Sequence, residues 1–136
     1  MDFSSFERYE LTALVRALSF VRFESNELGA SQLAGSPILH SLFEQASKSL
    51  WEKTAAETKA STAIFFLTNG WPRIEEQPEA VKAIKAHILN AENWIDLSDT
   101  DKLDFIKILI QPFKYDESFI YLLKEYGDSM SLKTGL

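Results

Sequence analysis

Apolar residues recur every three or four positions along most of the chain, which is the spacing of helices that bury one face. The pattern predicts helices over residues 3–23, within 37–68, over 78–90, from 98 onward and over 116–126. We therefore predict an all-α fold. It is a single compact domain, residues 1–136, of five to six helices in an orthogonal or irregular helical bundle.

The sequence indicates clearly where the second predicted helix begins but leaves two alternatives for where it ends. Ser36 is a favourable N-cap, and Pro37 suits the first helical turn. No further glycine or proline occurs before Gly70, where a left-handed glycine is expected to end the helix. A single helix up to that point would be roughly 48 Å long at 1.5 Å per residue. We expect a break between Trp51 and Thr62, and one continuous helix is the alternative.

Two stretches predict irregular structure. Residues 25–36 contain Gly29 and Gly35 and are interpreted as a loop or broken turn, long enough to be functional or mobile. The two glycines lack the spacing and the following lysine of a phosphate-binding loop, so nucleotide binding by that device is not expected. Gly127 is interpreted as the stop of the last helix, which makes residues 127–136 a frayed tail.

The composition narrows the environment of the protein. The chain has no cysteine, which excludes disulfides, thiolate zinc sites and a cysteine nucleophile. Its N-terminus lacks the basic and apolar regions of a secretory signal. Its longest apolar run, residues 63–67, is far shorter than the ~20 residues of a membrane span. We expect a soluble cytoplasmic protein without a membrane partner.

Acidic residues outnumber basic ones by twenty to fourteen, which gives a formal net charge of −6. Binding to a nucleic-acid backbone gains most of its energy from lysine and arginine side chains that neutralise phosphates. The acidic excess therefore disfavours nucleic acid as a partner. The same charge attracts a basic protein.

Four aspartates lie within residues 96–104, directly before an apolar run. Ser98 is a good N-cap, and Asp99 and Asp101 occupy the first turn, where each carboxylate adds about 0.3–1 kcal/mol of stability. A calcium loop of the EF-hand type starting at Asp96 fails, because its sixth and twelfth positions hold an aspartate and a lysine. Helix capping is the leading interpretation, a protein-docking surface is the alternative, and no metal site is predicted.

Candidate catalytic residues are few. His40 and Glu44 are four apart on a predicted helix and share a face, which an acid–base pair could use. An ordinary half-exposed pair is the simpler interpretation, and His87 offers less still. No nucleophile elbow occurs in the sequence. We therefore predict no catalytic residue and no cofactor.

Tryptophan next to acidic residues is a plausible anchor for a basic partner, through packing and cation–π contact. We predict a non-enzymatic protein-binding module, an acidic inhibitor of the immunity type that masks a basic partner such as a toxin. The expected partner-binding residues are Trp71, Glu75, Glu76, Trp94, Asp96, Asp99 and Asp101. The alternative is a small-molecule-binding helical domain or minor enzyme, with its pocket near His40 and residues 26–36.

Overall fold

A computed structural model describes the backbone of residues 2–133 and the side chains of residues 2–131. Over that range the chain forms seven α-helices, and its one extended pairing is an isolated bridge between Arg73 and Lys114. The helices are α1 (Arg8–Ser19), α2 (Leu28–Ala34), α3 (Pro37–Thr58), α4 (Ser61–Asn69), α5 (Pro78–Leu89), α6 (Asp99–Ile110) and α7 (Glu117–Lys133). A π-helical turn, Phe20–Glu24, extends α1, and Ile74–Glu76 and Trp94–Asp96 are short 3-10 turns. The predicted all-α bundle is confirmed.

The main core is organised around α5. This helix contacts the π turn on one side and α2, α6 and α7 on the others. Its Ile84 and Ile88 are fully buried, and burial of such a side chain contributes roughly 1.5–3 kcal/mol. Other members of the core are Leu18, Phe23, Phe43, Ile74, Ile106, Leu109, Ile110, Ile120 and Leu123. A second, smaller cluster joins α1 to α3 through Phe3, Leu11 and Ala46.

The local signals for helix ends are confirmed where a side chain or backbone group carries them. The Ser36 hydroxyl accepts a hydrogen bond from the Leu39 amide at 3.3 Å, so α3 begins where the sequence predicts. The predicted break is also present, because Lys59 adopts a left-handed conformation between α3 and α4. Gly70 ends α4 with a φ of +77°, a region that suits glycine.

Two predictions about irregular structure are wrong. Residues 25–36 are mostly helical, because Ser31 and Ala34 of α2 are buried against the rest of the domain. The last helix does not stop at Gly127 but continues to Lys133. A Cβ atom at Gly127 would lie 2.6 Å from Trp94 Cζ2, so this glycine permits a close approach of helix and ring. The predicted tail is therefore helical over 127–133, and 134–136 lie outside the described residues.

The first helix is shorter than predicted at its start, since α1 begins at Arg8 and the preceding residues form a turn. At its other end the π turn buries Arg22, which is 1% exposed. The Arg22 Nη2 atom donates to the carbonyl oxygens of Ile108 and Leu109 in the last turn of α6. Burial lowers the pKa of Arg22 to about 10, although the nearby Glu44 carboxylate opposes the shift. The guanidinium therefore stays charged at neutral pH.

Candidate functional site

Trp94 is not a surface anchor. Its side chain is 2% exposed, and its Nε1 atom donates to Asp128 Oδ1 at 3.1 Å. The Lys102 ammonium group lies 5.2 Å from the centre of its ring. The expectation that Trp94 presents its ring to a partner is therefore wrong, because the ring packs the end of α7 against α5 and α6.

Trp71 is half-buried in an aromatic cluster. Its ring centre lies 5.1 Å from that of Trp51 and 5.1 Å from that of Phe113. Phe43 and Phe66 complete the cluster at 5.5 and 6.0 Å. Packing fixes the position of this tryptophan, and the exposed part of its ring lines a cleft between α3 and α4.

The aspartates around the start of α6 have different surroundings. The Ser98 hydroxyl accepts a hydrogen bond from the Asp101 amide at 3.1 Å, as the capping interpretation predicts. Asp99 forms an ion pair of 3.2 Å with Lys124, which also contacts Asp128 at 2.8 Å. Burial raises the pKa of Asp128, but its bonds to the lysines outweigh that effect and the net pKa is lowered. Asp96 is exposed.

The two predicted glutamates lie elsewhere. Glu75 accepts a hydrogen bond from the Asp116 amide at 2.9 Å and pairs with Arg73 at 3.4 Å, so it holds the chain entering α7. Glu76 beside it is exposed. The Glu75 and Asp99 contacts are eight residues apart along α7, roughly 12 Å at 1.5 Å per residue. The predicted partner-binding residues therefore do not form one cluster.

A groove of about 770 Å³ lies between α2, the connection from α5 to α6, and α6. Three carboxylates line it, from Glu92, Asp101 and Asp104, and no lysine or arginine does. Its apolar lining includes Ala91, Leu97, Phe105 and Ile108, and its polar lining includes Ser31, Gln32, Ser36, Asn90 and Asn93. The groove therefore combines an apolar floor with a negatively charged rim.

Of the groove carboxylates, only Asp101 is among the residues predicted to bind a partner. Asp104 follows it by three positions, so both lie on one face of α6, and this spacing was visible in the sequence. Glu92 comes from the α5–α6 connection, and no local pattern indicates that it meets α6. The groove depends on packing between three segments of the chain.

Behind the groove, a buried hydrogen-bond network joins α2 to α5. The Ser31 hydroxyl lies 2.6 Å from His87 Nδ1, and His87 Nε2 lies 2.9 Å from the Arg22 carbonyl oxygen. Since a carbonyl only accepts, Nε2 carries the proton and Nδ1 accepts from Ser31. The Asn90 amide donates to the same hydroxyl at 2.9 Å. Burial lowers the pKa of His87, so its imidazole is neutral at pH 7.

This arrangement resembles a serine–histidine pair, but both residues are buried, and the Ser31 hydroxyl also accepts a hydrogen bond from the Asn90 side chain. Ser31 lies inside α2, and its backbone amide already bonds to the Glu27 carbonyl at 3.0 Å. No free backbone amide of this residue is left to stabilise an oxyanion. The network therefore holds α2 in place and shapes one wall of the groove.

His40 does not line the groove, although Ser31, Gln32, Gly35 and Ser36 of the expected pocket region do. Its Nε2 atom lies 3.5 Å from Glu44 Oε2. Burial lowers the pKa of His40, and the charge of Arg22 adds to this effect, while Glu44 opposes it. The groove therefore involves part of the 26–36 segment and not His40, and a small-molecule pocket near both stays a prediction.

Among the described residues, no group of three or more His, Cys, Asp or Glu side chains could hold a metal ion. Within the same part of the chain, no helix is both long enough and apolar enough to cross a membrane. No protein-family model, curated protein or solved structure matches this sequence.

Proposed function

We propose that this chain is a non-enzymatic protein-binding module that masks a basic partner, such as a toxin, in the manner of an immunity protein. The observation that carries the proposal is the groove, which is lined both by three exposed carboxylates and by half-buried apolar side chains. A basic side chain of the partner would place its charge among Glu92, Asp101 and Asp104 and its aliphatic stem on the floor. An arginine would also stack on the ring of Phe105.

The floor matters more for affinity than the charges do. Exposed ion pairs contribute only about 0.2–1 kcal/mol each. Removing apolar surface from water contributes about 25 cal/mol per Å², so a few buried side chains exceed the whole rim. The carboxylates, together with the net charge of −6, act mainly by accelerating encounter and orienting the partner.

The size of the groove also fits a small cationic ligand. Its volume of about 770 Å³ falls within the range of small-molecule pockets, roughly 300–1,000 Å³. This is the second candidate function. The two candidate functions are distinguished by comparing the affinities of free arginine and of an arginine-containing peptide. A protein-binding groove should bind the peptide more tightly, because the flanking residues of the peptide add contacts.

The proposal is tested by titrating ¹⁵N-labelled protein with a short arginine-rich peptide. We expect the largest amide shifts along the groove, at residues such as Ser31, Asn90 and Phe105. The double variant Asp101→Asn/Asp104→Asn removes two rim charges and is expected to weaken binding roughly 2- to 30-fold. Binding should also weaken as salt is added.

A matched control removes the same charge elsewhere. Glu79 and Glu125 are exposed and do not line the groove, so Glu79→Gln/Glu125→Gln is expected to change affinity by less than about twofold. If the two double variants weakened peptide binding equally, binding would depend on net charge alone. The groove would then not be the binding site. Thermal unfolding of each variant shows whether the fold is preserved.

A further inference from the structure

Helix α4 exposes an apolar face that none of the described residues covers. Its nine residues include no charged side chain, and it packs on α3 with Ala63 as its one buried residue. Phe65 is 60% exposed, Ile64 47% and Leu67 40%. The five central residues, 63–67, are all apolar and span more than one helical turn, and such a stretch of helix is normally buried on all sides. The outer face of α4 therefore has the character of an interface.

An aromatic cleft lies beside this face, between α3 and α4. Its volume is about 440 Å³, and its apolar lining consists of Trp51, Phe66, Leu67 and Trp71. The rings of Trp51 and Phe66 are stacked, with centres 4.9 Å apart and planes inclined by 13°. A protruding aromatic side chain, Phe65, and a cleft suited to an aromatic side chain thus occur on the same short helix.

We propose that α4 docks a second copy of this chain, with Phe65 of each copy entering the aromatic cleft of the other. Knob and cleft are adjacent, so a two-fold axis beside α4 satisfies both at once, as an isologous dimer requires. The absence of charge on α4 also favours a second copy. Two molecules of net charge −6 would meet across this helix without opposing any charge of α4 itself, and the charged side chains that line the cleft, Glu44 and Lys48, are of opposite sign.

The exposed area indicates a weak and reversible dimer. A phenylalanine buries about 150–250 Å² when fully covered, so Phe65 with its two exposed neighbours offers roughly 300 Å². Stable interfaces bury about 800 Å² on each partner. We therefore expect a weak dimer, with a dissociation constant of roughly 10 μM to 1 mM.

The salt dependence of this dimer is opposite to that of the groove. Like net charges repel two copies at a distance, and salt screens the repulsion. Self-association should therefore strengthen as salt is added, whereas binding of a basic partner in the groove weakens. The inference is independent of the proposed function, and each can fail alone.

Sedimentation of the whole chain tests the dimer. We expect the weight-average mass to rise with protein concentration up to roughly 1 mM, and more steeply at high salt. Trp51 and Trp71 emission should shift to the blue over the same range, because the cleft fills. Phe65→Ser removes the knob and is expected to weaken association at least tenfold. Leu122→Ala, at a residue of α7 that is also 60% exposed, is the control and should leave association unchanged.

Two results would overturn the inference. The first is a monomer throughout this concentration range at high salt. The second is association that Phe65→Ser leaves intact, which would place the contact elsewhere on the surface. Asp101→Asn/Asp104→Asn lowers the net charge from −6 to −4 and should therefore strengthen the dimer only at low salt. At high salt it should leave association unchanged, so failure of the groove proposal leaves this measurement interpretable.

Discussion

Gly127 and Gly29 provide a matched pair of substitutions in two different surroundings. Both lie in helices with ordinary negative φ, in α7 and α2. An alanine Cβ at Gly127 would lie 2.6 Å from Trp94 Cζ2 and 2.7 Å from Ile88 Cγ2, whereas a Cβ at Gly29 meets nothing within 4 Å. The two alanine variants therefore share the gain in helix propensity and differ in the steric cost.

The expected free-energy changes have opposite signs. Alanine is favoured over glycine inside a helix by about 0.8–1.0 kcal/mol, and somewhat less near an end. Overpacking a filled core typically costs about 1–3 kcal/mol. The Trp94 ring cannot move aside freely, because Asp128 and Lys102 hold it. We expect Gly127→Ala to lose about 1 kcal/mol and Gly29→Ala to gain about 0.5 kcal/mol.

Urea unfolding followed by tryptophan fluorescence measures both changes. With a slope of about 1–3 kcal/mol per molar urea, a separation of 1.5 kcal/mol moves the two midpoints apart by roughly 0.5–1.5 M. Near-ultraviolet circular dichroism should show a displaced Trp94 only in Gly127→Ala. A Gly127→Ala variant as stable as Gly29→Ala would refute the reasoning, since it would mean that the close approach of α7 and the indole ring is not required.

Three further predictions concern stability. Ser98→Ala removes the N-cap of α6 and should cost about 1 kcal/mol in urea unfolding, whereas Ser98→Asp should restore most of it. Folding lowers the pKa of His87 from its ordinary value of 6.5. The neutral, buried imidazole therefore contributes fully to the free energy of unfolding above pH 6.5, and this contribution is lost as the pH falls through the pKa of the folded state. His87→Gln should make the free energy of unfolding less dependent on pH between about pH 7 and 5. An unchanged slope would mean that another titrating group causes the pH dependence. The lowered pKa of Asp128 gives stability above pH 3.8 that disappears in acid. Asp128→Asn should lower stability at pH 7 and narrow the gap between pH 7 and pH 3, as chemical denaturation at the two pH values will show.

Local signals were sufficient for much of the fold. Ser36 and Ser98 cap helices through hydrogen bonds to residues three positions away, so each cap is contained in a few letters of sequence. Helix α2 was missed because a helix of seven residues is stabilised by packing, here through Ser31 against His87. Gly127 was misread for a related reason, since its role depends on Trp94, which lies 33 positions earlier.

The residues of the candidate site could be predicted from the sequence only in part. Two aspartates of the acidic stretch, Asp101 and Asp104, line the groove. Asp99 of the same stretch does not, and its carboxylate is paired with Lys124. Charge patterns do not reveal which carboxylates are paired, since the pairing lysine lies on another helix. Trp94 shows the same limitation, because a tryptophan in a connection is equally able to close a core and to face solvent.

Arg22 has a consequence for the lifetime of the fold. Its guanidinium donates to the last turn of α6 across 86 positions of sequence, and we expect so distant a contact to form late in folding, because it requires the closure of a long loop. Interactions made late in folding govern the rate of unfolding rather than that of refolding. The free-energy change of Arg22→Met should therefore appear in the unfolding arm of a stopped-flow experiment, and a matching change in the refolding arm would contradict this order of events. The buried charge of Arg22 would therefore have little effect on the rate of folding, and it would mainly prolong the time that each molecule stays folded.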